Sequence, residues 1–150
     1  MSRGTAKTLF VIVVFNALWL MLFNPAFAAP DCNVVCEGHY VIDGIDTAAD
    51  LEALEGCKSV TGNLQVTDSP LTSLEGLECL THVGGYLYID DNDSLTSLEG
   101  LEKLKSVGAE LYICANDELC TSLALALRDQ LLDAGGIGGT TMILGNDRGC

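Results

Sequence analysis

Positive charge is scarce in this 150-residue sequence, where seven Lys and Arg stand against 21 Asp and Glu for a formal charge of −14. Nucleic acid and anionic membrane both require a basic footprint, so neither is expected as a partner. Histidine is almost missing, with only His39 and His82, and no Cys-x2-Cys knuckle accompanies them. The usual zinc ligand sets are thereby absent. The apolar run from Leu9 to Phe23 is fifteen residues long and interrupted by Asn16, short of the roughly 20 that a membrane-spanning helix needs.

That run has another reading. Arg3 and Lys7 precede it and Ala26-Phe27-Ala28 follows, which is a charged region, a short apolar region and an Ala-x-Ala cleavage site. We expect a signal peptide over residues 1–28, and a single mature domain over residues 29–150, free of the membrane after cleavage. A lipid anchor on Cys32 would need a small residue before it, and Asp31 stands there. The mature part holds all 21 acidic residues and five basic ones, so its formal charge is −16. These charges are scattered singly, as on a solvated exterior, rather than gathered in an acidic tail. All seven cysteines follow the cleavage site, and behind a secretory signal they read as disulfides with one thiol left over.

A repeat of about 24 residues runs through the rest. Its starts are Gly38-His-Tyr-Val-Ile-Asp, Gly62-Asn-Leu-Gln-Val-Thr, Gly85-Tyr-Leu-Tyr-Ile-Asp and Ala109-Glu-Leu-Tyr-Ile-Cys. Its middles include Leu71-Thr-Ser-Leu-Glu-Gly-Leu-Glu-Cys-Leu and Leu95-Thr-Ser-Leu-Glu-Gly-Leu-Glu-Lys-Leu. Units this small cannot bury their own apolar face and must stack, so the period predicts a solenoid. Within one unit, Leu87 and Ile89 alternate with Tyr86, Tyr88 and Asp90, the pattern of a short half-buried strand. Leu95, Leu98, Leu101 and Leu104 then recur every third residue, which suits a 3₁₀-like or extended side better than an α-helix. The ends differ: Thr47 to Gly56 and Ser122 to Ala134 read as short helices, the second stopped by Gly135-Gly136. Strands are expected near Tyr40, Leu64, Leu87, Leu111 and Thr141, giving an α/β fold of about five coils.

Two stretches carry a family likeness. Cys57-Lys-Ser-Val-Thr-Gly-Asn-Leu-Gln-Val resembles the cysteine-then-Gly-x-Leu-x-Ile signature of receptor L domains, a leucine-rich-repeat-like family. Ile113-Cys-Ala-Asn-Asp-Glu-Leu-Cys is similar to the segment in which that family typically has Asn-Asn-Pro-x-Leu-Cys. The Leu-x-Ser-Leu-x-Gly-Leu middles and the ending Gly145-Asn-Asp-Arg-Gly-Cys resemble secreted bacterial proteins built from the same repeat. The resemblance implies a right-handed solenoid of short parallel strands and short helices, with disulfides capping its ends. It also implies a bond from an entry cysteine, Cys36 or alternatively Cys32, to Cys57. The register adds Cys120–Cys150, since both follow the Asn-Asp of their repeats by the same interval and should sit in adjacent columns. Cys79 is expected on the convex side and Cys114 on the strand face, too far apart to meet. Disulfide-linked self-association through unpaired cysteines stays open.

The outward strand positions align in three rows. They are Val41, Gln65, Tyr88, Tyr112 and Met142; His39, Asn63, Tyr86, Glu110 and Thr140; and Asp43, Thr67, Asp90, Cys114 and Leu144. Adjacent tyrosines ringed by polar groups can anchor a protein or a sugar, and can equally serve as cross-strand stabilisation. The binding residues expected on this face are Tyr86, Tyr88, Tyr112, Gln65, Glu110 and Asp90. Asp90-Asp91-Asn92-Asp93 is rich in oxygens but lacks the central glycine and closing glutamate of an EF-hand. The register of Asn92, Asn116 and Asn146 suggests an internal asparagine ladder instead. His39 and His82 fall at different repeat positions, so no catalytic pair can be assembled. We therefore expect no enzyme, no metal and no cofactor. The sequence reads as a secreted or cell-envelope module that recognises an extracellular protein or glycan through its strand face, or else as a structural surface-coat or stalk unit.

Overall fold

A computed structural model describes residues 31–147 and 149–150. The signal segment expected over residues 1–28 lies outside the described residues. Among the described residues the chain forms a parallel β-solenoid of about three turns with two short helices; a count of five coils goes further than this. Ten strands fall into two five-stranded parallel sheets. The first contains β1 (Val34–Cys36), β3 (Cys57–Val60), β5 (His82–Val83), β7 (Ser106–Val107) and β9 (Gly136–Ile137). The second contains β2 (Tyr40–Ile42), β4 (Leu64–Thr67), β6 (Leu87–Asp90), β8 (Leu111–Cys114) and β10 (Thr141–Leu144). The five strand positions expected from sequence are those of the second sheet. The first sheet goes unmarked in the sequence, because three of its five strands have only two residues, too few to show an alternation.

A three-residue corner joins each first-sheet strand to its second-sheet partner, as at 84–86 and 108–110. These corners stack closely. A Cβ on Gly108 would collide with the carbonyl oxygen of Gly84, and one on Gly138 with that of Gly108. Only glycine permits this separation. Backbone bonds then run from corner to corner, with Gly108 N donating to Val83 O and Ala109 N to Gly85 O.

Return segments complete the coils. The one over 91–105 contains single turns in which Leu101 N donates to Leu98 O and Leu104 N to Leu101 O. These i to i−3 bonds explain the leucine spacing of three, although no continuous 3₁₀-helix forms. Its equivalent over 68–81 repeats the pattern through Leu77 N to Leu74 O and Leu80 N to Leu77 O. Helix α1 (Thr47–Leu54) replaces the return segment in the first coil and α2 (Thr121–Ala134) does so near the C-terminal end. Asp46 holds the N-cap position of α1, and the Thr47 hydroxyl donates to Asp43 O. The α2 stripe is inward at Ala124, Leu127 and Leu131, whereas Leu123 is exposed.

The core is one continuous cluster, in which Leu64, Leu87 and Leu111 stack from coil to coil, as do Val60, Val83 and Val107. An asparagine ladder runs beside it. Asn116 donates through Nδ2 to Ile89 O, Cys114 O and Asn146 Oδ1, and its own Oδ1 accepts from Asn92 N and Asn92 Nδ2. Ser69 stands one coil earlier and donates through N and Oγ to Asn92 Oδ1. Every rung is buried, and the amides pair with one another and with carbonyls near the ends of β4, β6 and β8.

Three disulfides join Cys32 to Cys79, Cys36 to Cys57 and Cys120 to Cys150. The first ties the N-terminal segment to the return side of the second coil, a link the repeat register could not show because Cys32 precedes the repeats. Cys114 is the free cysteine and is only 4% exposed. The option of self-association through an intermolecular disulfide is therefore left without an exposed thiol.

Candidate functional site

The outward face of the second sheet is set by strand register. Val41 pairs with Gln65, Gln65 with Tyr88, Tyr88 with Tyr112 and Tyr112 with Met142. The inward residues beside them, such as Leu87, Ile89, Leu111 and Ile113, are buried, which fixes the tyrosines outward. Tyr86, the last residue of the corner, and Tyr88 on β6 lie together, with ring centroids 4.1 Å apart and planes tilted by 32°. Tyr88 and Tyr112 lie on adjacent strands, with centroids 5.1 Å apart and a tilt of 39°. The three rings form one contiguous half-exposed cluster. Val41 and Met142 flank it, 47% and 49% exposed.

Polar groups border the cluster. Asn63 Oδ1 accepts from Tyr86 N, and His39 Nδ1 accepts from Asn63 N, which fixes the corner beneath Tyr86. Glu110 stands in the next corner, where its carbonyl accepts from Leu87 N. Asp90 pairs in register with Thr67 on one side and Cys114 on the other. Its carboxyl titrates above the usual 3.8, first because the site is partly desolvated and then because Asp91 and Asp68 are close. The Tyr112 hydroxyl is raised above 10.0, first by a hydrogen bond with the Cys114 side chain and then by the charges of Cys114, Asp90 and Asp91. The Cys114 thiol itself donates to Met142 O.

Asp68 and Asp91 are contributors that the strand pattern missed. Each follows its strand in a left-handed conformation, φ 49° and 54°, and Ala115 does the same at φ 52°. The Thr67-Asp68 and Asp90-Asp91 pairs share a register, and that alignment was the available signal. Asn92 turns inward to the ladder and is not free to ligate a cation from the Asp90–Asp93 loop. Among the described residues no group of three or more His, Cys, Asp or Glu is placed to hold a metal ion. His39 lies at a corner before the second sheet and His82 lies on β5 of the first, so they do not form a pair.

A sheet of parallel strands carrying an aromatic cluster, with disulfides towards both ends of the stack, is the architecture of a disulfide-capped solenoid. The receptor L domain family model matches residues 31–130, and the chain belongs to that family. Its members are non-enzymatic extracellular modules that bind ligands. No curated protein and no solved structure matches the chain. Among the described residues no helix is long and apolar enough to cross a membrane.

Proposed function

We propose that this protein is a secreted or cell-envelope receptor L domain that recognises an extracellular protein or glycan through the outward face of its second sheet. Tyr86, Tyr88 and Tyr112 are the anchors, and Gln65, Glu110 and Asp90 are the polar rim. The observation that carries this reading is the contiguity of the three rings on an outward face. Exposed aromatic clusters with polar borders supply large contact area at small entropic cost. Residues 1–28 act as a cleaved signal peptide in this reading, and the likeness of the repeat middles to secreted bacterial proteins supports export.

Co-sedimentation with whole cells or isolated envelopes tests the reading. Saturable binding by the wild type, lost in Tyr88→Ala/Tyr112→Ala at unchanged melting temperature, is the expected result. Equal binding by both proteins, or none by either, removes the strand face as the recognition surface.

A structural role in end-to-end stacking is the second reading. It is favoured by β10, whose outer edge is unpaired and which exposes Met142 at 49% and Leu144 at 58%. Concentration-dependent sedimentation of the purified protein, abolished by Leu144→Lys, is its signature.

A further inference from the structure

The described cations of this protein all lie off the second sheet. Among the described residues, Lys58 stands on β3, Lys103 and Lys105 on the 91–105 return segment, and Arg128 on α2, where Asp129 pairs with it at 2.7 Å. The second sheet and its described corners carry no Lys or Arg. They carry Asp43, Asp68, Asp90 and Asp91 along one border of the tyrosine row and Glu110 along the other. None of these carboxylates has an ion-pair partner among the described residues. The tyrosine row is thus bordered by carboxylates with no cation among the described residues beside them, a surface complementary to a positively charged ligand.

We propose that the occupant of this face is an extended, Lys- or Arg-bearing segment of a protein partner, lying across the strands along the tyrosine row. This rests on the strand face being the recognition surface and assigns its ligand class. The geometry suits such a segment in three ways. The row from Val41 to Met142 spans four strand spacings of about 4.8 Å, or ~19 Å, the length of about six extended residues. Guanidinium and ammonium groups are attracted to tyrosine faces, and carboxylates a few ångströms beyond can take up the same cations. Exposed Val41 and Met142 offer apolar contacts at the two ends of the row, for the uncharged side chains of the segment. Neutral sugars could donate hydroxyls to the carboxylates but carry no charge to be attracted by them, and anionic ones would be repelled.

Calorimetric titration tests the proposal. The probes are an eight-residue peptide of alternating arginine and leucine, its counterparts with glutamate or serine in place of arginine, and neutral oligosaccharides. Titrations use the wild type, Tyr88→Ala/Tyr112→Ala, and Asp68→Asn/Asp90→Asn/Asp91→Asn. Asparagine tolerates the left-handed backbone at 68 and 91, so the second variant keeps the corners intact. The expected result is that the arginine peptide alone binds the wild type, about tenfold or more weaker when salt rises from 50 to 300 mM. Binding should disappear in the tyrosine variant and weaken about tenfold in the asparagine variant. Tyrosine-dependent binding of the serine peptide or a sugar that ignores the asparagine changes would overturn the basic ligand and leave the strand face standing. The basic ligand is equally overturned if the arginine peptide fails to bind while envelope sedimentation still requires the tyrosines. Arginine-peptide binding that is indifferent to the tyrosine variant would count against both, since it would report only the overall negative charge.

Discussion

Replacing Asn116 by Ala should remove a large part of this protein's stability without touching its surface. Its side chain takes part in five hydrogen bonds: three donated to Ile89 O, Cys114 O and Asn146 Oδ1, and two accepted from Asn92 N and Nδ2. Asn92 Nδ2 keeps Val66 O and Asp90 O, and Cys114 O still accepts from Asp91 N. Asn92 N–H would be left without its acceptor, and Ile89 O loses its side-chain donor. Two buried groups weakened at ~1–3 kcal/mol each, together with the cavity left by the amide, give about 3–5 kcal/mol. For a domain with a total stability of ~5–15 kcal/mol that is a severe loss. Asn116→Asp is nearly isosteric yet should be worse, because it would bury a carboxylate facing carbonyl oxygens that now receive N–H donors. The assay is urea unfolding with disulfides intact, followed by far-UV circular dichroism at neutral pH. The midpoint should fall with an unchanged denaturant slope. A loss below about 1 kcal/mol for Ala, or wild-type behaviour for Asp, would refute the view that the ladder holds the coils in register.

Three further outcomes follow from the same geometry. Gly108→Ala should destabilise by at least ~1–3 kcal/mol in thermal unfolding, because its Cβ meets the Gly84 carbonyl. Gly38→Ala, which meets nothing within 4 Å but has a φ of 102°, should cost only about 1–2 kcal/mol of backbone strain, and the reverse order would contradict the stacked corner. Thiol titration of the unreduced protein should find no reactive cysteine when native and one after denaturation, since Cys114 is buried and the other six are paired. Asp90 keeps its proton to higher pH when folded than when unfolded, so its ionisation removes stability as pH rises from 3.8 through the raised value. Asp90→Asn should therefore raise the melting temperature at pH 7 and leave it unchanged near pH 3, and an equal gain at both pH values would show that another effect is responsible.

Much of the second sheet was legible in the sequence, because its strands are long enough to alternate and their leucines and isoleucines recur in register. The tyrosine row followed from the same alignment. The ladder was legible for a different reason: turns accept Asp, Ser or Gly as readily as asparagine, so asparagine alone recurring in register at 92, 116 and 146 pointed to a shared hydrogen-bond task. Beyond reach were the first sheet, with two-residue strands such as His82–Val83, and the Cys32–Cys79 bond, which joins residues outside any common repeat position. The burial of Cys114 was also hidden, since its position in the outward row is overridden by neighbours on β8 and β10 that only the three-dimensional arrangement supplies.

The stacked corners bear on how a protein like this can change length. Val60, Val83 and Val107, the glycines beside them and the asparagine rungs each contact the equivalent position one coil away. Excising or duplicating a whole cysteine-free unit between matching points, such as 85–108, would rejoin like with like and create no new kind of contact. Slippage during gene copying can therefore lengthen or shorten the outward row by one position per unit while the fold persists. The dimensions of what it grips then become a heritable count rather than a redesign.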